Sequence, residues 1–269
     1  MHKTILITGS TDGIGLATAR LLAAQGHAVL LHGRQSAKLA EVASVLSSLP
    51  GAGTVDTFMA DLSRRAEVEQ LARDVAERHP RIDVLINNAG VLRTPQALSP
   101  DGLDMRFAVN TIAPYLLTQR LLPLLGAGGR VVNLSSAAQA PVDLGRLTGP
   151  PALDAMAAYA QSKLALTMWS RALALSLGSD GPVIVAVNPG SLLGSKMVKQ
   201  AFGVDGGDLR IGAEILVRAA VGGDFASASG LYFDNDTGRF AAPHPDALDA
   251  RKSQAVVAEI EGWLAQNGS

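Results

Sequence analysis

Residues 4–15 read TILITGSTDGIG: a short apolar run, Thr4 to Ile7, meets glycines at positions 9, 13 and 15. Ile14, Ala17, Leu21 and Leu22 then repeat at helical spacing as far as Gly26, a natural helix stop. The stretch therefore reads as strand, tight turn, helix. In an open α/β sheet, ligands sit beyond the carboxyl ends of the strands, near the point where strand order reverses. Glycine there lets the backbone take positive φ and pass close to a ligand. The helix N-terminus adds unpaired N–H groups and the positive end of its dipole, which suit a pyrophosphate. Gly9, Ser10, Thr11, Asp12, Gly13, Ile14 and Gly15 thus form a candidate dinucleotide cradle. Taken alone, the same spacing also fits an ordinary tight turn.

Further along, short apolar runs alternate with longer helical patterns. The runs are AVLLH (28–32), VDTFM (55–59, the weakest), DVLIN (83–87), RVVNL (130–134), VIVAV (183–187) and GLYF (230–233). Most are continuously apolar, as parallel strands buried on both faces should be. Ser36 is placed to cap a helix carrying Leu39, Val42 and Leu46, and Ser63 one carrying Val68, Leu71 and Val75. The pattern predicts a doubly wound Rossmann-type α/β sandwich: a mostly or wholly parallel sheet of about seven strands, with helices on both faces, in one domain over 1–269. Two irregular stretches, about 137–158 and 191–210, are expected as loops near the site, the second a mobile lid hinged on Gly194, Gly203, Gly206 and Gly207.

Composition narrows the options. The chain of 269 residues is 48% hydrophobic and 17% charged, with a net charge of −1. That balance suits a globular core and gives no broad pull toward nucleic acid or an anionic membrane. There is no cysteine, which excludes disulfides, thiol catalysis and thiolate metal sites. The five histidines form no HExxH, and no metal site is expected. The apolar run before Thr8-Gly9 is too short for a signal-peptide core, and no run of about 18 apolar residues exists. A cytoplasmic location is the simplest expectation.

A set of further motifs follows the glycine turn in order. Asp61-Leu62 follows the third run, and Asn87-Asn88-Ala89-Gly90 the fourth. Asn110 lies in the next helix, Ser135-Ser136 end the fifth run, Tyr159-Ala-Gln-Ser-Lys163 open the following helix, and Asn188-Pro189-Gly190 follow the sixth. With TGxxxGxG at 8–15, this order resembles the short-chain dehydrogenase/reductase family over roughly residues 3–233. The tail GLYFDNDTGRF and the long gap between Ser136 and Tyr159 look most like its retinol-dehydrogenase-like branch.

Tyr159 and Lys163, four residues apart on a helix, share a face. A tyrosine hydroxyl titrates near 10, and a neighbouring ammonium favours the phenolate and lowers that value. By itself the pair also fits an amphipathic helix with a snorkelling lysine. The resemblance implies more. Tyr159 would pass a proton to a carbonyl oxygen, or take it from an alcohol. Ser136 would hold that oxygen, and Lys163 would grip the nicotinamide ribose. Asn110 would anchor a relay water, or else be a buried amide bonding backbone. Asn88, Ala89 and Gly90 would lie along the adenosine half of the cofactor. Asp61 and Leu62 would meet the adenine, unless Asp61 merely precedes a helix cap. Pro189, Gly190 and Ser191 would turn over the nicotinamide. Where the family places a threonine, this chain has Gly194 followed by Ser195, leaving Ser191 or Ser195 to contact the carboxamide. His32, at a strand end, is a further candidate for touching the cofactor.

The second strand ends Leu31-His32-Gly33-Arg34. Gly33 stands about where an acid would bind the ribose 2′-hydroxyl of NAD, and Arg34 can clamp a 2′-phosphate, with Ser36 and Lys38 as helpers. NADP is therefore expected over NAD. Asp12 stands where many NADP users carry a basic residue. The substrate is expected to be a small carbonyl or alcohol with apolar bulk. Val142, Leu144, Leu147, Leu153 and Met156 either wall its pocket or pack on the body of the protein. The resemblance implies a homodimer or homotetramer, by way of the helix at 111–125 and the region around 214–233. The alternative is a catalytically silent nucleotide-binding regulatory or scaffold protein of the same fold.

Overall fold

The computed structural model describes residues 2–267. In chain order the elements are β1 (Thr4–Ile7), α1 (Gly13–Ala24), β2 (Ala28–Gly33), α2 (Ser36–Ser47), β3 (Val55–Met59), α3 (Arg65–Arg78), β4 (Val84–Asn87) and α4 (Met105–Phe107). A π-helical turn, Ala108–Ile112, leads into α5 (Ala113–Leu125), then β5 (Arg130–Leu134), α6 (Leu144–Leu147), α7 (Ala155–Leu177), β6 (Val183–Asn188), α8 (Lys196–Phe202) and α9 (Leu209–Val221). The chain closes with β7 (Tyr232–Asp234), β8 (Arg239–Ala241), α10 (Pro245–Leu248) and α11 (Ala250–Gln266).

The strands form one sheet in the order β3-β2-β1-β4-β5-β6-β7-β8. Seven are parallel, as the sequence predicts, and the eighth adds an antiparallel hairpin at the edge. Strand order reverses between β1 and β4, so the loops after these two strands open side by side at the carboxyl edge. Alternate residues explain the continuous apolar runs. Leu6, Leu30, Leu85, Val131 and Ile184 face one cluster, closed by α3, α5 and α7. Ile5, Ile7, Val29, Leu31, Val84, Ile86, Val132 and Val185 face the other, closed by α1, α2 and α9. Among the described residues no helix is long and apolar enough to cross a membrane.

Two expected caps are corrected. Ser36 is already the first residue of α2, after an extended Gln35 with no side-chain cap. Ser63 is drawn back to Asp61, its hydroxyl donating to Asp61 Oδ1 at 2.8 Å. The carboxylate of Asp101, distant in sequence, instead receives Arg65 N at the start of α3 at 2.6 Å. In the second case a carboxylate on each side outcompetes the serine hydroxyl.

Candidate active site

The glycine turn is built by three different constraints. Gly9 and Gly13 have φ of +65° and +57°. A Cβ on Gly15 would lie 2.4 Å from both Asn88 Nδ2 and Gly9 O, and one on Gly9 would lie 3.0 Å from Ala89 Cα. Gly9 and Gly15 are therefore required by the packing of the β1 loop on the β4 loop. A Cβ on Gly13 would meet only Ser195 Cβ, at 3.9 Å. The space beside Gly13 is thus open at the start of α1, and the first helical turn carries no acid. Asp12 caps that helix by accepting from Gly13 N at 2.8 Å. Its charge is offset by Lys196 at 2.5 Å and Lys38 at 3.6 Å. These features fit an anion such as a pyrophosphate.

Hydrogen bonds lock the two loops. Asn88 Nδ2 donates to Thr8 O (2.8 Å) and Gly9 O (3.1 Å), while Thr8 Oγ1 accepts from Asn88 N and Ala89 N, each at 3.0 Å. The Asn88 side chain is thus occupied in holding the cradle. Ser10 is corrected outright. It is fully buried, and its hydroxyl accepts from His32 N at 2.9 Å and donates to His32 O at 3.3 Å, so its side chain cannot touch a ligand. His32 cannot either, because it is 2% exposed and both ring nitrogens are used. Nδ1 accepts from Gly9 N at 3.1 Å, and Nε2 donates to Ala60 O at 3.1 Å. Those partners require the neutral Nε2–H tautomer, and burial lowers the pKa to about 4. His32 is a keystone joining the ends of β1, β2 and β3. Only its position at a strand end hinted at this in the sequence.

Tyr159 and Lys163 sit in the first half of α7, which Asp154 caps through Met156 N and Ala157 N. Lys163 is 4% exposed, and Nζ donates to Leu134 O at 2.7 Å. The amine lies 5.7 Å from the centroid of the Tyr159 ring. Burial lowers the Lys163 pKa to about 8. Burial also raises the Tyr159 pKa, opposed by the nearby Ser136 side chain. The downward shift expected from Lys163 is corrected here: the net direction is upward, and burial of the phenol sets it. At neutral pH the phenol holds its proton. Ser135 turns inward, 2.7 Å from Thr167 Oγ1.

Asn110 sits in the π-helical turn, 1% exposed. Its amide clamps Val91, accepting from Val91 N at 2.8 Å and donating to Val91 O at 2.9 Å, and also donates to Ser162 Oγ at 3.0 Å. Ser162 in turn donates to Tyr159 O at 2.7 Å. Ser162 does not stand out in the sequence, although its helical offset from Tyr159 points back at that carbonyl. A Cβ on Gly90 would lie 3.4 Å from both Asn110 Oδ1 and Lys163 Nζ, so glycine keeps the space between them open.

Asp61 and Leu62 lie in the loop after β3. Leu62 is 7% exposed and packs in the core, which leaves only its backbone for a ligand. Arg34 is exposed, and no acidic partner pairs with it among the described residues. A Cβ on Gly33 would lie 2.7 Å from Thr11 Cγ2, so an acid cannot stand there without moving Thr11.

After β6 the chain turns through buried Pro189 and through Gly190, whose φ is +122°. Ser191 is not free to meet a carboxamide as expected. Its hydroxyl donates to Asp236 Oδ2 at 2.6 Å and its N–H to Asp236 Oδ1 at 2.8 Å. Ser195 caps α8, accepting from Val198 N at 3.3 Å. Two of the expected hinge glycines are tied together at the base of 191–210. Gly194 N donates to Gly207 O (2.7 Å) and Gly207 N to Leu192 O (2.8 Å), closing a neck from which α8 projects. Within 137–158, Leu147 is fully buried, and Val142 and Leu153 pack on the core, while Leu144 and Met156 are exposed. The packing role holds for the first three residues.

The short chain dehydrogenase family model matches residues 3–203. Retinol dehydrogenase 13 of Homo sapiens is 31% identical over 276 residues, covering 96% of this chain and 83% of the relative. Among solved structures, a protein of Mycobacterium paratuberculosis superposes with a TM-score of 0.80 at 28% identity, covering 97% of this chain and 92% of that one. A short chain dehydrogenase of Burkholderia cenocepacia, in complex with NADP, does so with a TM-score of 0.69 at 28% identity, covering 88% and 97%.

Proposed function

Because the chain belongs to the short chain dehydrogenase family, in its retinol-dehydrogenase-like branch, and is an oxidoreductase of that family, we propose that it moves a hydride between NADP(H) and a carbonyl/alcohol pair, with Tyr159 as general acid and base. The observation that carries this reading is the protonated Tyr159 phenol near Ser136, with the amine of buried Lys163 5.7 Å from the Tyr159 ring centroid. A bound nicotinamide dinucleotide supplies the hydride. In reduction Tyr159 donates its proton to the carbonyl oxygen, which Ser136 Oγ holds by hydrogen bonding. Lys163, fixed by Leu134 O, contacts the nicotinamide ribose and limits the cost of the phenolate left behind. Asn110 positions Val91 and, through Ser162, the backbone of Tyr159.

The preference for NADP is supported by unpaired, exposed Arg34, by the glycine at 33, where an acid would press on the Thr11 side chain, and by the NADP complex of the Burkholderia relative. Substrates with apolar bulk are supported by the exposed Leu144 and Met156 near α7 and by the retinol dehydrogenase relative. The test is absorbance at 340 nm with a panel of ketones and aldehydes, apolar and polar, against NADPH and NADH. The reading expects turnover of apolar carbonyls with a higher kcat/KM for NADPH. A higher value with NADH refutes the cofactor assignment, and no turnover with either refutes the activity.

A further inference from the structure

The family model ends at residue 203, yet the β7–β8 hairpin beyond it reaches back into the site twice. The loop it meets is under strain. Gly190 has φ +122°, and two residues later Leu192, which has a side chain, has φ +51°. A non-glycine residue in that region persists only where its surroundings over-determine it. Leu192 is held from one side by Gly207, whose N–H donates to Leu192 O at 2.8 Å, and the residues just before it are held by the turn of the hairpin. Asp236 accepts from Ser191 N (2.8 Å), Ser191 Oγ (2.6 Å) and Asn188 Nδ2 (2.9 Å). Asp234 Oδ1 accepts from the same Asn188 amide at 2.9 Å, and Asn235 Nδ2 donates to Pro189 O at 2.9 Å. No cation pairs with Asp236 among the described residues. Its carboxylate is satisfied by the loop, and the loop's Ser191 by it. At the other end of the hairpin, buried Tyr232 donates to Ser136 O at 3.2 Å, beside Gln139 Nε2 at 2.9 Å from the same oxygen.

We propose that the β7–β8 hairpin is a brace for the nicotinamide end of the site, with Asp236 the positioning residue for the 188–191 loop and Tyr232 for the turn that carries Ser136. This rests on the reading of Pro189, Gly190 and Ser191 as the residues over the nicotinamide. The brace touches neither the glycine turn nor Arg34, so its loss acts on one end of the dinucleotide only.

Asp236→Ala, Asp236→Asn and Tyr232→Phe separate the possibilities. Amide exchange of the cofactor-free protein reads the brace directly. Asp236→Ala should speed exchange at Ser191 about tenfold or more and leave Gly9–Gly15 unchanged, since losing a charge-assisted hydrogen bond costs about ten- to a hundredfold. By calorimetry the same variant should weaken NADPH about fivefold and adenosine 2′,5′-bisphosphate, which lacks the nicotinamide half, less than about twofold. Asp236→Asn, which keeps one acceptor, should fall between. Adding Ser191→Ala to Asp236→Ala should cost nothing further. Tyr232→Phe should lower kcat and leave both affinities unchanged. Unaltered exchange at Ser191, or equal weakening of the two ligands, overturns the brace. A wild-type protein that binds neither ligand refutes the proposed function, while the exchange result still decides the brace.

Discussion

Replacing Lys163 by Met should abolish turnover and yet leave the protein as stable as before, or more so, at pH 7. The lysine is 4% exposed, and burial lowers its pKa from 10.5 to about 8. That lowering corresponds to a penalty of about 3 kcal/mol for carrying the charge when folded. Met fills similar space without a charge, but it leaves Leu134 O without its 2.7 Å donor, a loss of about 1–3 kcal/mol. The two terms nearly cancel, leaving the variant more stable by between about zero and 2 kcal/mol. The pH dependence fixes the sign. The unfolded lysine binds its proton up to 10.5, the folded one only up to about 8. Between those values the unfolded state holds more protons, so wild-type stability rises with pH there. Urea unfolding of both proteins from pH 7 to 10.5 is the assay. Wild type should gain up to about 3 kcal/mol on the variant across that window. A variant destabilised by well over about 3 kcal/mol at pH 7, or a difference independent of pH, would refute the reasoning.

Arg34→Ala should raise the KM for NADPH about ten- to a hundredfold and leave that for NADH unchanged, an effect that shrinks with salt because the side chain is exposed. Gly15→Ala should lower stability by about 1–3 kcal/mol and weaken NADPH, since its Cβ would lie 2.4 Å from Gly9 O; calorimetry and urea unfolding check both. His32→Ala should destabilise by about 2–4 kcal/mol by orphaning Gly9 N and Ala60 O. Nitrogen NMR of wild type should show His32 neutral, with the proton on Nε2, from pH 8 down to 5. Asp236 has a lowered pKa: burial opposes the lowering, and the Ser191 and Asn188 hydrogen bonds outweigh it. Its contribution should therefore be present above its unfolded value and vanish as pH falls through the lower folded one, read as faster Ser191 exchange in acid relative to Asp236→Asn.

The sheet was legible because both faces are covered, so each strand had to be continuously apolar, and because glycines marked the turn at Gly9–Gly15. The chemistry was legible as a spacing, Tyr159 to Lys163, that a helix converts into proximity. What the sequence hid was the use of polar groups already spent. Ser10, Ser191 and Asn88 look available in a linear reading, but His32, Asp236 and Thr8 take their hydrogen bonds across long stretches of chain. The direction of the Tyr159 pKa shift was hidden for a related reason, since spacing shows that Lys163 is near but not how deeply both are buried. The eighth strand was hidden by its brevity: Arg239–Ala241 spans too few residues for any periodicity to show, and its pattern is mostly exposed.

The central claim is that Tyr159 carries the proton. Tyr159→Phe, assayed for NADPH affinity by fluorescence and for NADPH oxidation at 340 nm with a carbonyl that wild type turns over, tests it most directly. The expected result is an unchanged dissociation constant and a kcat lower by a factor of about 10² or more. A variant that binds NADPH normally and keeps wild-type turnover would contradict it.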